Sequence, residues 1–198
     1  MGNSVCNGKT LAMVVASSTG GTNALEVLLR DLPALCVPTV IVQHIRPGFT
    51  ALLADRLNQI SRMEVREAVS GDTLKPGLAL LAPADVHTRL AVHRGALSVE
   101  CFAGERMHGV MPAADVLFGS AANILRDKAI GVVLTGMGDD GARGLLEMRM
   151  AGARTIAQDR ETSVVYGMPK KAYEIGAAEF VLPLDRIAGK IADMLNLC

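Results

Sequence analysis

V-V-A-S-S-T-G-G-T-N-A-L-E-V-L-L, residues 14–29, decides the reading of this chain. An apolar run breaks into two serines, a threonine and two glycines, and apolar residues then resume at helical spacing. That is a strand, a tight turn and a helix. Ser18 stands on the turn, where the free backbone N–H groups of the helix opening near Gly20 point toward any negative charge that develops beside it. Two plainer readings use the same residues. Serine or threonine ahead of a helix commonly caps it, and a glycine-rich turn often cradles phosphate.

Short β-branched runs and helical patterns alternate outward from this stretch. Strands are expected at Leu11–Ala16, Thr39–His44 and, more weakly, Glu64–Ala68, with helices at Thr22–Leu32 and Thr50–Ile60. The middle differs: Leu78–Ala82 reads as a strand, and Arg89–His93 with Ala96–Phe102 as an antiparallel hairpin about a His-Arg-Gly turn. Pro112 then opens a helix running to about Asp127. The alternation returns with strands Ile130–Thr135, Arg154–Gln158 and Glu179–Leu182, and helices Ala142–Ala151, Pro169–Ile175 and Leu184–Leu195. This pattern predicts an α/β fold, a largely parallel doubly wound sheet with helices on both faces and an inserted antiparallel β-hairpin. Residues 1–9 read as a flexible polar segment and residues 10–198 as one domain.

Composition narrows the function. Half of the 198 residues are hydrophobic but only 3% are aromatic, and 20 basic residues balance 20 acidic ones. The core must therefore be aliphatic, and the stacking rings and basic excess of a nucleic-acid binder are missing. Cys6, Cys36, Cys101 and Cys198 are scattered, with neither C-x-x-C pairs nor histidines at metal-ligand spacing, so neither a disulfide framework nor a metal is expected. No apolar stretch reaches the ~18 residues needed to cross a bilayer. M-G-N-S-V-C at the start misses a myristoylation signal because Cys6 stands where Ser or Thr is wanted. A cytoplasmic location without membrane insertion is expected.

Ligands of such sheets collect at the carboxyl ends of the strands. Ser18 follows the first strand, His44 closes the second, and Asp140 lies in the loop after G-V-V-L-T. A serine hydroxyl needs a base to take its proton, histidine suits that task near neutrality, and a carboxylate would hold the imidazole's other nitrogen. The order Ser, His, Asp differs from that of α/β-hydrolases, but triads are defined by geometry. His87, His93 and His108 are read as structural. The same loop carries a rival: Gly136, Gly138 and Gly141 spell G-x-G-x-x-G, with Asp159 at the next strand end, as in a dinucleotide fingerprint. Against it, Asp139 and Asp140 would repel a pyrophosphate.

At A-S-S-T-G-G-T (16–22), I-V-Q-H-I-R-P-G-F-T (41–50), V-L-T-G-M-G-D-D-G-A-R-G (133–144) and A-G-A-R-T-I-A-Q-D-R-E-T-S-V-V-Y-G-M-P-K (151–170) the chain resembles the catalytic domain of chemotaxis receptor methylesterases, the CheB family. The likeness runs from about Leu11 to the C-terminus. It implies hydrolysis of glutamyl methyl esters on the cytoplasmic helices of chemoreceptors, releasing methanol and restoring glutamate, with deamidation of receptor glutamines as a related activity and no cofactor. By motif position it assigns the nucleophile to Ser18, the base to His44 and the orienting carboxylate to Asp140. The Met137 amide is the implied oxyanion donor, with Thr19, Gln43 and the Val165–Pro169 stretch as supports. A catalytically silent module binding receptor helices through the same cleft is the alternative of a second class. Two departures stand out: Ala16-Ser17 replaces the usual Gly-Ala before the nucleophile, and Ala113-Ala114 replaces Ser-Val, which is expected to alter a contact at the rim. The family's receiver domain does not precede this unit, so regulation would come from a separate receiver domain in trans, or the sequence is a catalytic fragment.

Overall fold

The computed structural model describes residues 11–33 and 37–195. The segment 1–9 and Cys6, Cys36 and Cys198 lie outside the described residues, while Cys101 is a free thiol. The elements run β1 (Ala12–Ser17), α1 (Gly21–Asp31), β2 (Thr39–Gln43), α2 (Thr50–Ile60), β3 (Glu64–Glu67), β4 (Leu78–Leu81), β5 (His87–His93), β6 (Ala96–Phe102), α3 (Ala114–Leu125), a 3₁₀ turn (Arg126–Lys128), β7 (Ala129–Val133), α4 (Ala142–Met150), β8 (Arg154–Gln158), α5 (Met168–Glu174), β9 (Phe180–Leu182) and α6 (Leu184–Met194).

Seven strands form one sheet in the order β3-β4-β2-β1-β7-β8-β9, and every pairing in it is parallel. Side-chain alternation along β1 shows why. Met13 and Val15 face α1, α2 and α6, packing with Leu25, Leu28, Leu57, Ile187 and Ile191. Ala12, Val14 and Ala16 face the opposite layer with Leu117 and Phe118 of α3, Leu145 of α4 and Ala172 of α5. All six residues of β1 are buried, as expected of a central strand covered on both sides. The separate β5–β6 hairpin pairs antiparallel from His87↔Phe102 to His93↔Ala96. Its Leu90 and Val99 join the Phe118 core, and the Leu90 N–H donates to Ser120 Oγ on α3 at 2.9 Å.

The expected doubly wound architecture is present, with its elements displaced by one or two residues at several ends. The difference that bears on the site is at Pro112, which does not begin α3. Ala113 is extended (φ −100°, ψ 134°) and the helix starts at Ala114. That start aims the first amides of α3 at a carboxylate from another loop, as the site makes clear. Among the described residues, no helix is long and apolar enough to cross a membrane.

β1 lies between β2, reached through α1 on one face, and β7, whose own crossover α4 covers the other. The winding direction reverses beside β1. A crevice therefore opens above its carboxyl end.

Candidate active site

Ser18 leaves β1 held by its backbone. Its N–H donates to Thr135 O at 3.0 Å and its carbonyl accepts from Gly21 N at 2.8 Å. It does not cap α1: the cap position is Gly20, in a left-handed conformation (φ 81°), with no side-chain cap bond. Ser18 is half-buried, and its hydroxyl donates to no group among the described residues. The strand that follows on the other side, β7, delivers Gly136 against it. A Cβ on Gly136 would lie 2.7 Å from Ser18 Cβ and would also collide with Met168 Sδ. Glycine is required there by proximity.

The neighbouring hydroxyl is committed elsewhere. Ser17 is fully buried and donates to Gln43 Oε1 at 2.6 Å. Gln43 Nε2 in turn donates to the carbonyls of Ser18 at 2.9 Å and His44 at 2.8 Å. One side-chain amide thus ties the chain just past β1 to the chain just past β2, and the His44 N–H adds a bond to Ser17 O at 3.0 Å. Thr19, the other expected support, is exposed; its carbonyl accepts from Thr135 Oγ1 at 3.0 Å.

His44 Nε2 lies 2.8 Å from Asp140 Oδ2. This leaves Nδ1, the nitrogen nearer the main chain, outside that bond, while the Gln43 clamp ties the backbone of His44 to that of Ser18. The arrangement is the reverse of the protease template, whose aspartate takes Nδ1. Asp140 is 2% exposed and accepts two further bonds, from Ala114 N at 2.6 Å and Asp115 N at 3.1 Å. These are the first amides of α3, so an aspartate from the β7–α4 loop occupies the positive end of a foreign helix. Burial pushes the Asp140 carboxyl up, but the bonds from His44, Ala114 and Asp115 outweigh it and hold it below the usual carboxylate range. Ala113 and Ala114 are both 0% exposed. The expected change of a rim contact at that pair is therefore incorrect, because the pair lies beneath Asp140, where the backbone does the work.

The loop after β7 places Met137, Gly138 and Asp139 in solvent. Gly136 O accepts from Gly167 N at 3.1 Å and Met168 N at 2.9 Å, and Gly136 N donates to Val165 O at 3.0 Å. The segment 165–168 thereby braces the glycine turn, while the Met137 N–H has no protein acceptor among the described residues. Asp139 turns away to His108 Nδ1 at 3.3 Å. The G-x-G-x-x-G reading loses its acidic partner too, since Asp159 accepts from Thr162 N at 3.0 Å and Thr162 Oγ1 at 2.6 Å in its own loop.

Sequence reasoning overlooked Asp115. It is buried, accepts from Gly144 N at 2.7 Å and meets His108 Nε2 at 2.9 Å. Burial raises its carboxyl above the ordinary range, and the nearby Asp140 charge adds to this, against the Gly144 amide and His108. The one available signal was an acid in the first turn of the predicted helix. Ligand atoms of His108, Asp115 and Asp140 lie within 4.8 Å of one another, a spacing that suits a divalent cation. Their oxygens are already engaged by the backbone amides and imidazoles above. His87, read as structural, latches its loop through Glu105 O at 2.8 Å and Ala113 N at 3.2 Å.

Comparison with known proteins shows what the chain is similar to. A family model described as CheB methylesterase matches residues 13–191. A protein-glutamate methylesterase/protein-glutamine glutaminase of Bdellovibrio bacteriovorus is 50% identical over 184 residues, covering 93% of this chain and 52% of that protein. One from Xanthomonas campestris pv. campestris is 48% identical over the same shares. The chain spans about half the length of the curated relatives it matches. The crystal structure of the Thermotoga maritima CheB methylesterase catalytic domain superposes with a TM-score of 0.91 at 39% identity, covering 94% of this chain and all of that one.

Proposed function

Because the chain belongs to the CheB methylesterase family, we propose that residues 10–198 are a catalytic domain hydrolysing glutamyl methyl esters on chemoreceptor helices. The observation that carries this reading is the His44–Asp140 pair, 2.8 Å apart, bound by Gln43 to the backbone of Ser18.

The proposed steps follow from that arrangement. His44 Nδ1 removes the Ser18 proton as Oγ attacks the ester carbonyl. Asp140 remains ionised, fixes the ring with its Nε2–H bond and stabilises the imidazolium. The Met137 amide, without a protein acceptor among the described residues, donates to the tetrahedral oxyanion, an effect typically worth about 3–4 kcal/mol. His44 then returns the proton to the departing methoxy group, which leaves as methanol. A water, deprotonated by the same imidazole, attacks the acyl-enzyme and releases glutamate and the free serine. Attack on a glutamine side chain follows the same course with ammonia as leaving group. Nucleophile–base contacts commonly tighten only when substrate binds.

The rim suits a protein substrate. Phe49, Met137 and Val164 are exposed and stand respectively beyond His44, after Gly136 and over Gly20, giving a docking helix apolar surface to cover. A cytoplasmic location, and control by a receiver domain in trans or on a longer protein, belong to the same reading. The test is methanol release from methylated receptor cytoplasmic fragments. Release by the wild-type chain and none by Ser18→Ala supports it. Binding without release leaves the silent helix-binding module in its place.

A further inference from the structure

A cavity of about 370 Å³ opens beside His44, and its walls include Arg46, Pro47, Asp85, Arg106 and Met111. The loop after β2 forms one side, and the loops before β5 and after β6 form the other. Asp85 N donates to Met111 O at 3.2 Å, closing that second side.

The charges facing this space do not cancel. Arg106 is satisfied by Asp85, at 2.9 Å. His44 is engaged by Asp140. Arg46 is exposed and has no carboxylate within 4.0 Å among the described residues. Arg46 therefore brings to this space one positive charge that no carboxylate among the described residues offsets.

Local sequence sets the backbone that carries this charge. Arg46-Pro47-Gly48-Phe49 is a turn closed by Phe49 N donating to Arg46 O at 3.2 Å. Proline fixes φ at the second position, and Gly48 takes φ 85° at the third, as a type II turn demands. The backbone bearing Arg46 is thus set before substrate arrives. Only the side chain needs ordering, so less binding energy is lost. A guanidinium offers a planar pair of donors matched to a carboxylate.

We propose that Arg46 is a specificity residue: it receives a substrate carboxylate flanking the reacting ester, so that this chain prefers esters in acidic sequence. The inference rests on the esterase reading above and names the substrate feature that the site selects. The cavity adjoins His44 and not Ser18, so its occupant is a neighbour of the reacting residue.

The experiment uses methylated receptor fragments whose carboxylates flanking the ester are retained, replaced by glutamine, or replaced by lysine, with methanol release read as kcat/KM. The wild-type chain should favour acidic over neutral and neutral over basic flanks by about threefold to fivefold per step, the scale of an exposed ion pair, and added salt should compress the series. Arg46→Ala should level the acidic and neutral substrates, and Arg46→Glu should invert the order. Equal rates on all three by the wild-type chain, or an order unchanged in both variants, overturns the role of Arg46 while leaving the esterase intact. Hydrolysis of none of them by the wild-type chain removes the esterase reading and this inference with it.

Discussion

Ser17 and Gln43 meet across the β1–β2 boundary, the buried hydroxyl donating to Oε1 at 2.6 Å. The bond distinguishes two adjacent serines. A hydroxyl spent on a buried amide has neither access to substrate nor a free proton path to an imidazole. It also fixes which way the Gln43 amide faces, so that Nε2 is turned to the carbonyls of Ser18 and His44. The extra hydroxyl at position 17 acts through the clamp.

Ser18→Ala and Ser17→Ala should therefore fail in different ways. Ser18 Oγ supports no other group among the described residues, so its removal should abolish methanol release while leaving the denaturation midpoint within experimental scatter. Ser17→Ala leaves Gln43 Oε1 buried without its donor, which costs about 1–3 kcal/mol, and should retain most of the activity. Urea titrations beside methanol assays check both. Full loss in Ser17→Ala with retention in Ser18→Ala would move the nucleophile by one residue.

Gln43→Leu should lower kcat more than it raises KM. The substitution frees two carbonyls and the Ser17 hydroxyl, loosening Ser18 relative to His44 without touching the exposed apolar rim. A loss of tenfold or more in kcat is expected, on the scale of misplacing a reacting group. A change confined to KM would show that Gln43 serves substrate binding.

The α/β rhythm and the site positions at strand ends were legible because β-branched periodicity reports burial on both faces, and because β1 through α1 carries turn residues between two unambiguous patterns. The carboxylate–imidazole pair was legible in kind but not in orientation. That Asp140 takes Nε2 follows from three-dimensional placement of α3, whose first amides reach the carboxylate from 25 and 26 residues away in sequence. No local pattern encodes that. The start of α3 was misread for the same reason: proline commonly begins a helix, whereas here the backbone first extends through Ala113 to aim those amides. Asp115 and His108 were invisible as a pair because neither has a distinctive spacing to Asp140. The misread rim at Ala113-Ala114 shows the converse, that a change of side chain in a motif says nothing about which backbone group the motif contributes.

Gly136→Ala tests how tightly the loop after β7 holds Ser18. The added methyl would meet Met168 Sδ and, at 2.7 Å, Ser18 Cβ. A thioether can swing aside, but Ser18 is fixed by its backbone bonds and cannot. Activity should fall by tenfold or more, with a loss of about 1–3 kcal/mol from overpacking. Met168→Ala combined with Gly136→Ala should recover part of the stability and little of the activity. Recovery of both would place the strain at Met168 alone.

Asp140 and Asp139 are adjacent, yet they should respond very differently to amidation. Asp140 is buried, accepts from His44 and two α3 amides, and is held below the usual carboxylate range despite its burial. Asp139 is exposed, and its carboxylate meets His108. Asp140→Asn should lower the rate by as much as ~10⁴-fold, the scale of the protease triad, and Asp139→Asn should have a small effect. The variant at 140 should also be less stable at neutral pH, because its amide N–H₂ faces donors where an oxygen faced them. Since the folded chain favours the ionised form of Asp140, that contribution is complete above the unfolded carboxylate value of about 3.9 and is lost as pH falls through the depressed folded value. The stability gap between wild type and Asp140→Asn should accordingly be widest near neutrality and narrow in strong acid, measured by denaturant titration across that range. A gap that is constant with pH would mean that the carboxylate's charge contributes nothing, and equal mild losses of activity at both positions would remove Asp140 from the triad.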